Sequence, residues 1–136
     1  MQFDISAPLL PDLVSLHGKW YPDKPAIIDE HVTLTWSGID RGSSQVANGL
    51  RALGIGRGDS VAILMGNIAE YVEIMFGIFK AGAVAVPLNI TVSDADLLTM
   101  LHDAFARAVF FSPDQFDRLQ NDLGRVDSLV QGGRFL

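Results

Sequence analysis

Short apolar runs alternate with amphipathic stretches along most of this chain of 136 residues. Three runs of the kind found in strands buried on both faces lie near residues 61–65, 84–88 and 108–112. The stretches between them repeat their apolar residues at helical spacing. Strands and helices that alternate at these lengths predict βαβ units with right-handed crossovers. We therefore expect an α/β fold in which a parallel sheet forms the middle of three layers.

The segment before these units predicts two further elements. Leu13, Leu16 and Trp20 fall on one face of a short helix, and Pro11 is tolerated in its first turn. Apolar residues and threonines then alternate between 26 and 36, which is typical of a β-hairpin. We expect this short N-terminal hairpin to be separate from the parallel sheet.

Capping residues and glycines predict where the helices begin and end. Three pairs of a polar residue and an acid three positions later indicate helix starts: Ser37 with Asp40, Asn67 with Glu70, and Ser93 with Asp96. Gly54 and Gly82 are expected to end two helices in the left-handed conformation. A last helix is expected to begin at Ser112 and Pro113 and to end at Gly124.

The helix predicted at 68–81 is unusually apolar. Its polar positions form one narrow stripe, made of Glu70, Glu73, Gly77 and Lys80. Most of its circumference must therefore be covered by other parts of a protein. We expect Lys80 to lie near the negative end of the helix dipole.

Composition limits the classes of protein that fit. The length suits one domain, and 49% apolar with 19% charged residues is typical of a globular protein. The absence of cysteine excludes disulfides and thiolate metal sites. A net charge of −6 argues against a nucleic-acid surface. We expect one domain over residues 1–136, with a poorly defined tail at 125–136.

The sequence does not favour a membrane segment or a secretory leader. Glu73 and Lys80 interrupt the longest apolar stretch, so no run approaches the ~20 residues of a spanning helix. The N-terminus lacks the basic residues and apolar core of a signal peptide. We therefore expect a cytoplasmic protein.

The candidate reactive motifs have simpler structural interpretations. The glycine-rich run at 54–59 follows a helix and opens a strand, which is the reverse of a dinucleotide-binding loop. We interpret it as a tight turn. His17, His31 and His102 are far apart in sequence and lack the spacing of metal ligands.

The carboxyl ends of parallel strands are where ligands of such sheets bind. These ends are predicted at Met65-Gly66-Asn67, at Leu88-Asn89 and at Ser112-Pro113. They supply neither an acidic cluster nor an acid–base pair. The residues themselves therefore predict a scaffold, with no catalytic, cofactor-binding or metal-binding residue.

The order of the motifs is similar to that of the N-terminal segment of the adenylate-forming enzymes. This family includes acyl-CoA synthetases, luciferases and peptide-synthetase adenylation domains. The resemblance is carried by "YPDKPAIID", "LTW", "GLRALGIGRGDSVAIL", "GNIAEYVEIMFGIFKAGAVAVPLN" and "ARAVFFS". An ordered set of motifs is more specific than any single one. The ending "VPLN" resembles acyl-CoA synthetases most, whereas Trp36 and Gly38 depart from the tyrosine and glutamate usual in the family.

The resemblance implies a ligase that converts a carboxylic acid, ATP and CoA into acyl-CoA, AMP and pyrophosphate. Such a parent enzyme uses ATP, Mg²⁺ and CoA, but its ATP loop, ribose-binding aspartate and catalytic lysine belong to motifs that residues 1–136 do not contain. We therefore carry over no site residue. We expect a partial domain that acts as an N-terminal scaffold, is inactive alone and has the rest of the parent enzyme as its partner.

A second class of function stays open from the sequence alone. The βαβ series would also suit a free-standing flavodoxin-like module that binds a ligand or a partner protein, although the strand ends offer little chemistry for a ligand. The apolar circumference of the helix at 68–81 further leads us to expect a homo-oligomer formed through exposed apolar surface.

Overall fold

The computed structural model describes residues 8–130. Its helices and strands in chain order are α1 (Leu10–Trp20), β1 (Pro25–Ile28), β2 (Thr33–Thr35), α2 (Trp36–Ala52), β3 (Ser60–Leu64), α3 (Ala69–Lys80), β4 (Val84–Pro87), α4 (Asp94–Asp103), β5 (Ala106–Phe111) and α5 (Phe116–Leu119). Turns of 3₁₀ helix at Pro113–Gln115 and Leu123–Arg125 flank α5. Within the described range, no helix combines the length and the apolar character that crossing a bilayer requires.

The two sheets confirm the predicted strand arrangement. β3 lies between β4 and β5 in a parallel sheet, and β1 pairs with β2 in a separate antiparallel hairpin. β5 begins at Ala106, before the apolar run that predicted it at 108.

Alternate residues of the central strand face two different hydrophobic cores. Val61 and Ile63 pack with residues of α2 and α3, whereas Ala62 and Leu64 pack with residues of α4 and α5. The sheet is therefore the middle of three layers, as predicted. The two-residue period of a strand explains how one short segment contributes to both cores.

A bulge at Arg107 determines which residues of β5 face each of the two cores. Ser60 pairs with Ala106, but the next residue of β3, Val61, pairs with Ala108. The extra residue lets Ala106 join the core beneath α4 while Ala108 joins the core beneath α3. Arg107 stays partly exposed, and its Nη1 lies 3.3 Å from Asp59 Oδ1.

β4 is an edge strand, and its proline fits that position. The N–H groups of Val84 and Leu88 donate to β3, at Asp59 O and Ile63 O. Pro87 therefore occupies a position whose N–H would point away from β3, so its ring costs no ladder hydrogen bond. A proline on a free edge also discourages another strand from pairing there.

Two of the three predicted helix caps are wrong. Thr35, not Ser37, caps α2, because the helix starts at Trp36 and Thr35 Oγ1 accepts the Gly38 N–H at 3.1 Å. Ser37 is already inside the helix, and its hydroxyl donates to Pro22 O. Asn67 does not cap α3 either. The N-cap residue of α3 is Ile68, which has extended backbone angles and makes no side-chain cap hydrogen bond.

The other predicted boundaries agree with the structure. Ser93 Oγ accepts the Asp96 N–H at 3.1 Å at the start of α4. Gly54 and Gly82 have φ of +74° and +79° after α2 and α3. This left-handed region strongly favours glycine, which explains both helix ends.

The last predicted helix is broken into separate turns. Pro113–Gln115 and Leu123–Arg125 are 3₁₀, and only Phe116–Leu119 is α-helical. Asparagine and aspartate at 121 and 122 compete with the backbone for hydrogen bonds, which shortens helices. Of the predicted tail, residues 131–136 lie outside the described residues. Val126 is buried, and the Val130 N–H donates to Arg107 O.

Candidate functional site

The loops that follow the parallel strands form one edge of the sheet, which we call the carboxyl edge. It consists of residues 65–68, 88–93 and 112–115. The strand order β4–β3–β5 puts the topological switch point between β3 and β5. Ligands of open parallel sheets bind beside such a point, so the polar groups of this edge are the first candidates for a site.

A carboxylate from the hairpin holds the first loop of the carboxyl edge. Asp29 Oδ1 accepts the N–H groups of His31 and Val32 at 2.7 and 2.8 Å. Asp29 Oδ2 accepts the N–H of Ala69, the first residue of α3, at 3.2 Å. These backbone hydrogen bonds, those from His31 and Val32 above all, lower the pKa of Asp29. The carboxylate thus binds one N–H at a helix N-terminus, a place that favours anions such as phosphate.

Arg118 holds the second loop. Its Nη1 donates to Ile90 O at 2.8 Å, its Nη2 donates to Val92 O, and its Nε donates to the Asp94 carboxylate. The fork of donors on one guanidinium therefore fixes the backbone between β4 and α4. Each of these contacts is to a group of this chain, so the role of Arg118 is to shape the loop.

The remaining polar residues of the carboxyl edge act within their own turns. Asn89 Oδ1 accepts the N–H of Thr91 at 2.9 Å and its hydroxyl at 2.8 Å. The Ser112 hydroxyl is buried and has no hydrogen-bond partner among the described residues. Gln115 Nε2 donates to Asp114 Oδ2 at 2.7 Å.

The three histidines lie on different elements, and the glycine-rich run is the predicted turn between a helix and a strand. The His17 ring is 4.6 Å from the Trp36 ring, His31 is in the hairpin turn, and His102 is exposed on α4. Gly54 to Asp59 connect α2 to β3, where Asp59 Oδ2 accepts the Gly56 N–H at 2.9 Å. Between residues 8 and 130, no three side chains of histidine, aspartate or glutamate form a group able to hold a metal ion.

A second polar cluster, which we call the helix junction, joins α1, α2 and α3. It consists of Ser15, Asp40, Ser44 and Lys80. Lys80 Nζ donates to Asp40 Oδ1 at 2.6 Å, to Asp40 O at 3.0 Å and to Ser44 Oγ at 3.0 Å. The Ser15 hydroxyl donates to Asp40 Oδ1 at 2.7 Å. All three protons of the ammonium are therefore used, although the Lys80 side chain is only 11% exposed.

Burial and hydrogen bonding act in opposite directions on the carboxyl groups between α2 and α3. Burial disfavours ionised Asp40, but the donors of Lys80 and Ser15 outweigh it and leave the pKa of Asp40 below its ordinary value. Burial, followed by the charge of Glu70, raises the pKa of Glu73. Glu73 lies against Gly42, where a Cβ atom would overlap its carboxylate.

Three of the four residues in the polar stripe of α3 lie against α2, whereas Glu70 is exposed. Gly77 is buried, and a Cβ atom there would overlap Val46 of α2. Lys80 and Glu73 lie on the same side. The small residues let the two helices approach closely. Much of the stripe therefore serves helix packing, with the charge of Lys80 neutralised by Asp40 inside the chain.

A cleft of about 420 Å³ borders the helix junction, between α1, α2 and the end of α3. Arg51 on its wall donates to Lys80 O at 2.5 Å and to Asn48 Oδ1 at 3.2 Å. Since α2 and α3 end where the strands begin, the cleft lies toward the opposite edge of the sheet from the carboxyl edge. Its charged groups are paired within the chain, so they stabilise helix contacts.

The sequence analysis missed the residues that carry these contacts. Asp40 was interpreted as half of a cap, and Asp29 and Arg118 were given no role. Their partners lie 40, 40 and 24 positions away, respectively, in Lys80, Ala69 and Asp94. The one available signal was Lys80, a charge that interrupts an apolar run.

Taken together, the three layers and the strand order define a doubly wound α/β domain. Residues 16–133 match the family model described as AMP-binding enzyme. The chain belongs to this family, the adenylate-forming enzymes that its motifs resemble.

The chain is similar to several acid ligases. It is 37% identical over 102 residues to fatty acid–acyl-carrier-protein ligase ScoC of Streptomyces coeruleorubidus, a match covering 75% of this chain and 20% of that protein. It is 34% identical over 119 residues to the medium-chain fatty-acid–CoA ligase of Escherichia coli, covering 80% and 21%. The solved anthranilate CoA ligase AuaEII, in complex with anthranoyl-AMP, superposes with a TM-score of 0.82 at 26% identity, covering 88% and 23%. The chain thus spans about a fifth of the length of these two curated relatives.

Proposed function

We propose that these residues are the N-terminal scaffold portion of an AMP-forming acyl-CoA synthetase. The parent enzyme would convert a carboxylic acid, ATP and CoA into acyl-CoA, AMP and pyrophosphate through an acyl-adenylate, with Mg²⁺ as the metal. The family match and the names of the related ligases support this reaction over a free-standing binding module. Because those names include fatty and aromatic acids, we propose no narrower acyl class.

The carboxyl edge carries the proposal of a scaffold role. Adenylate formation needs groups that cradle a triphosphate and offset the charge of the departing pyrophosphate. Asp29 and Arg118 are instead occupied by the backbone of their own loops. We therefore propose that this chain alone catalyses no adenylation, and that the rest of the parent enzyme is its main partner.

Two further parts of the proposal concern the environment of the protein. We propose that the enzyme is cytoplasmic, because a chain without cysteine gives no sign of an oxidising compartment. We also propose that the chain associates with itself through exposed apolar surface, since large side chains such as Phe105 and Trp20 are 76% and 60% exposed.

A chimaera with the related E. coli ligase tests the scaffold role. The matching segment of that medium-chain fatty-acid–CoA ligase would be replaced by this chain, and acid-dependent pyrophosphate release would be measured for a series of acids. We expect activity with the acyl preference of the E. coli enzyme, because a scaffold supports chemistry without selecting the substrate.

Two results would contradict the proposal. One is a folded chimaera with a new acyl preference, which would mean that these residues line the acyl site. The other is an inactive chimaera whose circular dichroism matches that of the intact enzyme. That result would mean that the residues of this chain contribute to the chemistry.

A further inference from the structure

Helix α1, together with Leu9 before it, carries an apolar stripe that residues 8–130 leave largely exposed. Leu9, Leu13, Leu16 and Trp20 recur at intervals of four, three and four positions, which is the spacing of a coiled-coil seam. Leu9, Leu13 and Trp20 are 68%, 41% and 60% exposed. Val14, in contrast, is 2% exposed and anchors the other side of the helix.

The side of α1 that meets α2 is already occupied. The Ser15 hydroxyl binds Asp40, and Gly18 lies so close to Asp40 that a Cβ atom would approach its Cβ to 2.9 Å. The apolar stripe points away from these contacts. It is therefore a separate surface and not a loosely packed part of the core.

The charges beside the stripe indicate what covers it. With Leu13 and Trp20 in the a positions of a heptad and Leu16 in d, Asp12 and Lys19 both fall in g, on one flank. A second copy of the helix, turned antiparallel, brings Lys19 opposite Asp12 at both ends of the contact. In a parallel copy, g positions face the e positions of the partner, so Asp12 and Lys19 would not meet.

Other occupants fit this surface less well. A membrane with anionic lipids would be repelled by Asp12 at the rim of the stripe and by the net charge of −6. A two-fold interface, by contrast, needs only a surface that is complementary to itself, and the opposite charges on one flank provide that property. Antiparallel helices also place opposite ends of their dipoles together.

We infer that α1 is the contact surface for a second copy of this chain, packed antiparallel with two reciprocal Asp12–Lys19 ion pairs. The inference depends on α1 alone and is independent of the proposed ligase function. It makes the general expectation of a homo-oligomer specific, and it moves the interface from α3 to α1, because the exposed large apolar residues of the described range include none of α3.

Charge reversal tests the orientation of the pair. Sedimentation velocity across micromolar concentrations should show a species of twice the 14.8 kDa monomer mass. Lys19→Glu puts four acids on the two flanks, and it should raise the dissociation constant about tenfold. The swap Asp12→Lys with Lys19→Glu rebuilds both pairs and should restore association to within about threefold of the unmodified chain. The swap variant also loses the hydrogen bond from the Leu9 N–H to Asp12. If it associates nevertheless, the weaker association of Lys19→Glu does not come from a folding defect.

A second pair of variants tests the apolar seam. Leu13→Ser should abolish the dimer, whereas Met100→Ser removes a side chain of similar exposure, 39%, from α4 and should leave it unchanged. Circular dichroism would verify that both variants are folded.

Several outcomes would overturn the inference. They are a monomer at all micromolar concentrations, a dimer that is insensitive to Lys19→Glu, and a swap variant that does not recover. The inference would also be overturned by a monomeric full chain together with a dimeric variant that lacks residues 1–7. The N-terminus would then be the occupant of the stripe.

Discussion

The helix junction and the carboxyl edge use polar side chains in different ways. At the junction, the ammonium of Lys80 meets the carboxylate of Asp40 and two further acceptors, so a charge is neutralised inside the chain. At the carboxyl edge, Asp29 and Arg118 mainly bind backbone groups, and the Ser112 hydroxyl has no partner among the described residues. The junction therefore stabilises the packing of helices, whereas the edge fixes the course of loops.

The largest expected effect comes from closing the space between α2 and α3. Gly77→Val should lower the free energy of unfolding by about 3 kcal/mol, because its side chain would overlap Val46 and force the helices apart. Gly66→Val at the carboxyl edge is the control, since no atom lies within 4 Å of a Cβ atom there. Urea unfolding measures both. Equal losses would mean that the two regions do not differ in packing.

Removing the carboxylate of the junction should have the next largest effect. Asp40→Ala leaves Lys80 buried without its counter-charge and should cost about 2 kcal/mol, less than a fully buried pair because Asp40 is 34% exposed. In a double-mutant cycle, Lys80→Met should cost much less when Asp40 is already alanine. Additive losses in urea unfolding would contradict a direct interaction between the two residues.

Acid should weaken both regions through their aspartates. The pKa values of Asp29 and Asp40 lie below 3.8 in the folded chain, so the unfolded chain binds more protons in acid. Their stabilisation is complete well above pH 3.8 and is lost as the pH falls through the folded values. Asp29→Asn and Asp40→Asn should each flatten the decline of the urea midpoint between neutral pH and pH 3. An unchanged slope in both variants would refute the assignment.

Glu73 should show the opposite and smallest dependence on pH. Its pKa is raised above 4.5, so the folded chain binds the extra proton and loses stability as the pH rises through that region. Glu73→Gln should therefore raise the urea midpoint slightly at neutral pH, and the gain should disappear in acid. A lower midpoint at neutral pH would show that the charge of Glu73 is needed.

The fold was more predictable from the sequence than the contacts that hold its loops and helices. Continuous apolar runs identified β3 and β5, and the left-handed glycines Gly54 and Gly82 marked two helix ends, because these signals depend on neighbouring residues. The partners of Asp29 and Asp40 were not predictable, since each lies 40 positions away and is brought near only by folding. Caps at Ser37 and Asn67 were wrong for a related reason. Several neighbouring residues can begin a helix, and tertiary contacts decide among them.

The most direct test of the scaffold role is an adenylation assay on the isolated chain. Pyrophosphate release would be measured with ATP, Mg²⁺ and a series of fatty and aromatic acids, on material verified as folded by circular dichroism. We expect no release above the blank without acid, because Asp29 and Arg118, which hold the loops of the carboxyl edge, are bound to loop backbone. Reproducible release that depends on the acid, and that persists in independently purified samples, would show that these residues contain an active site and would contradict the scaffold role.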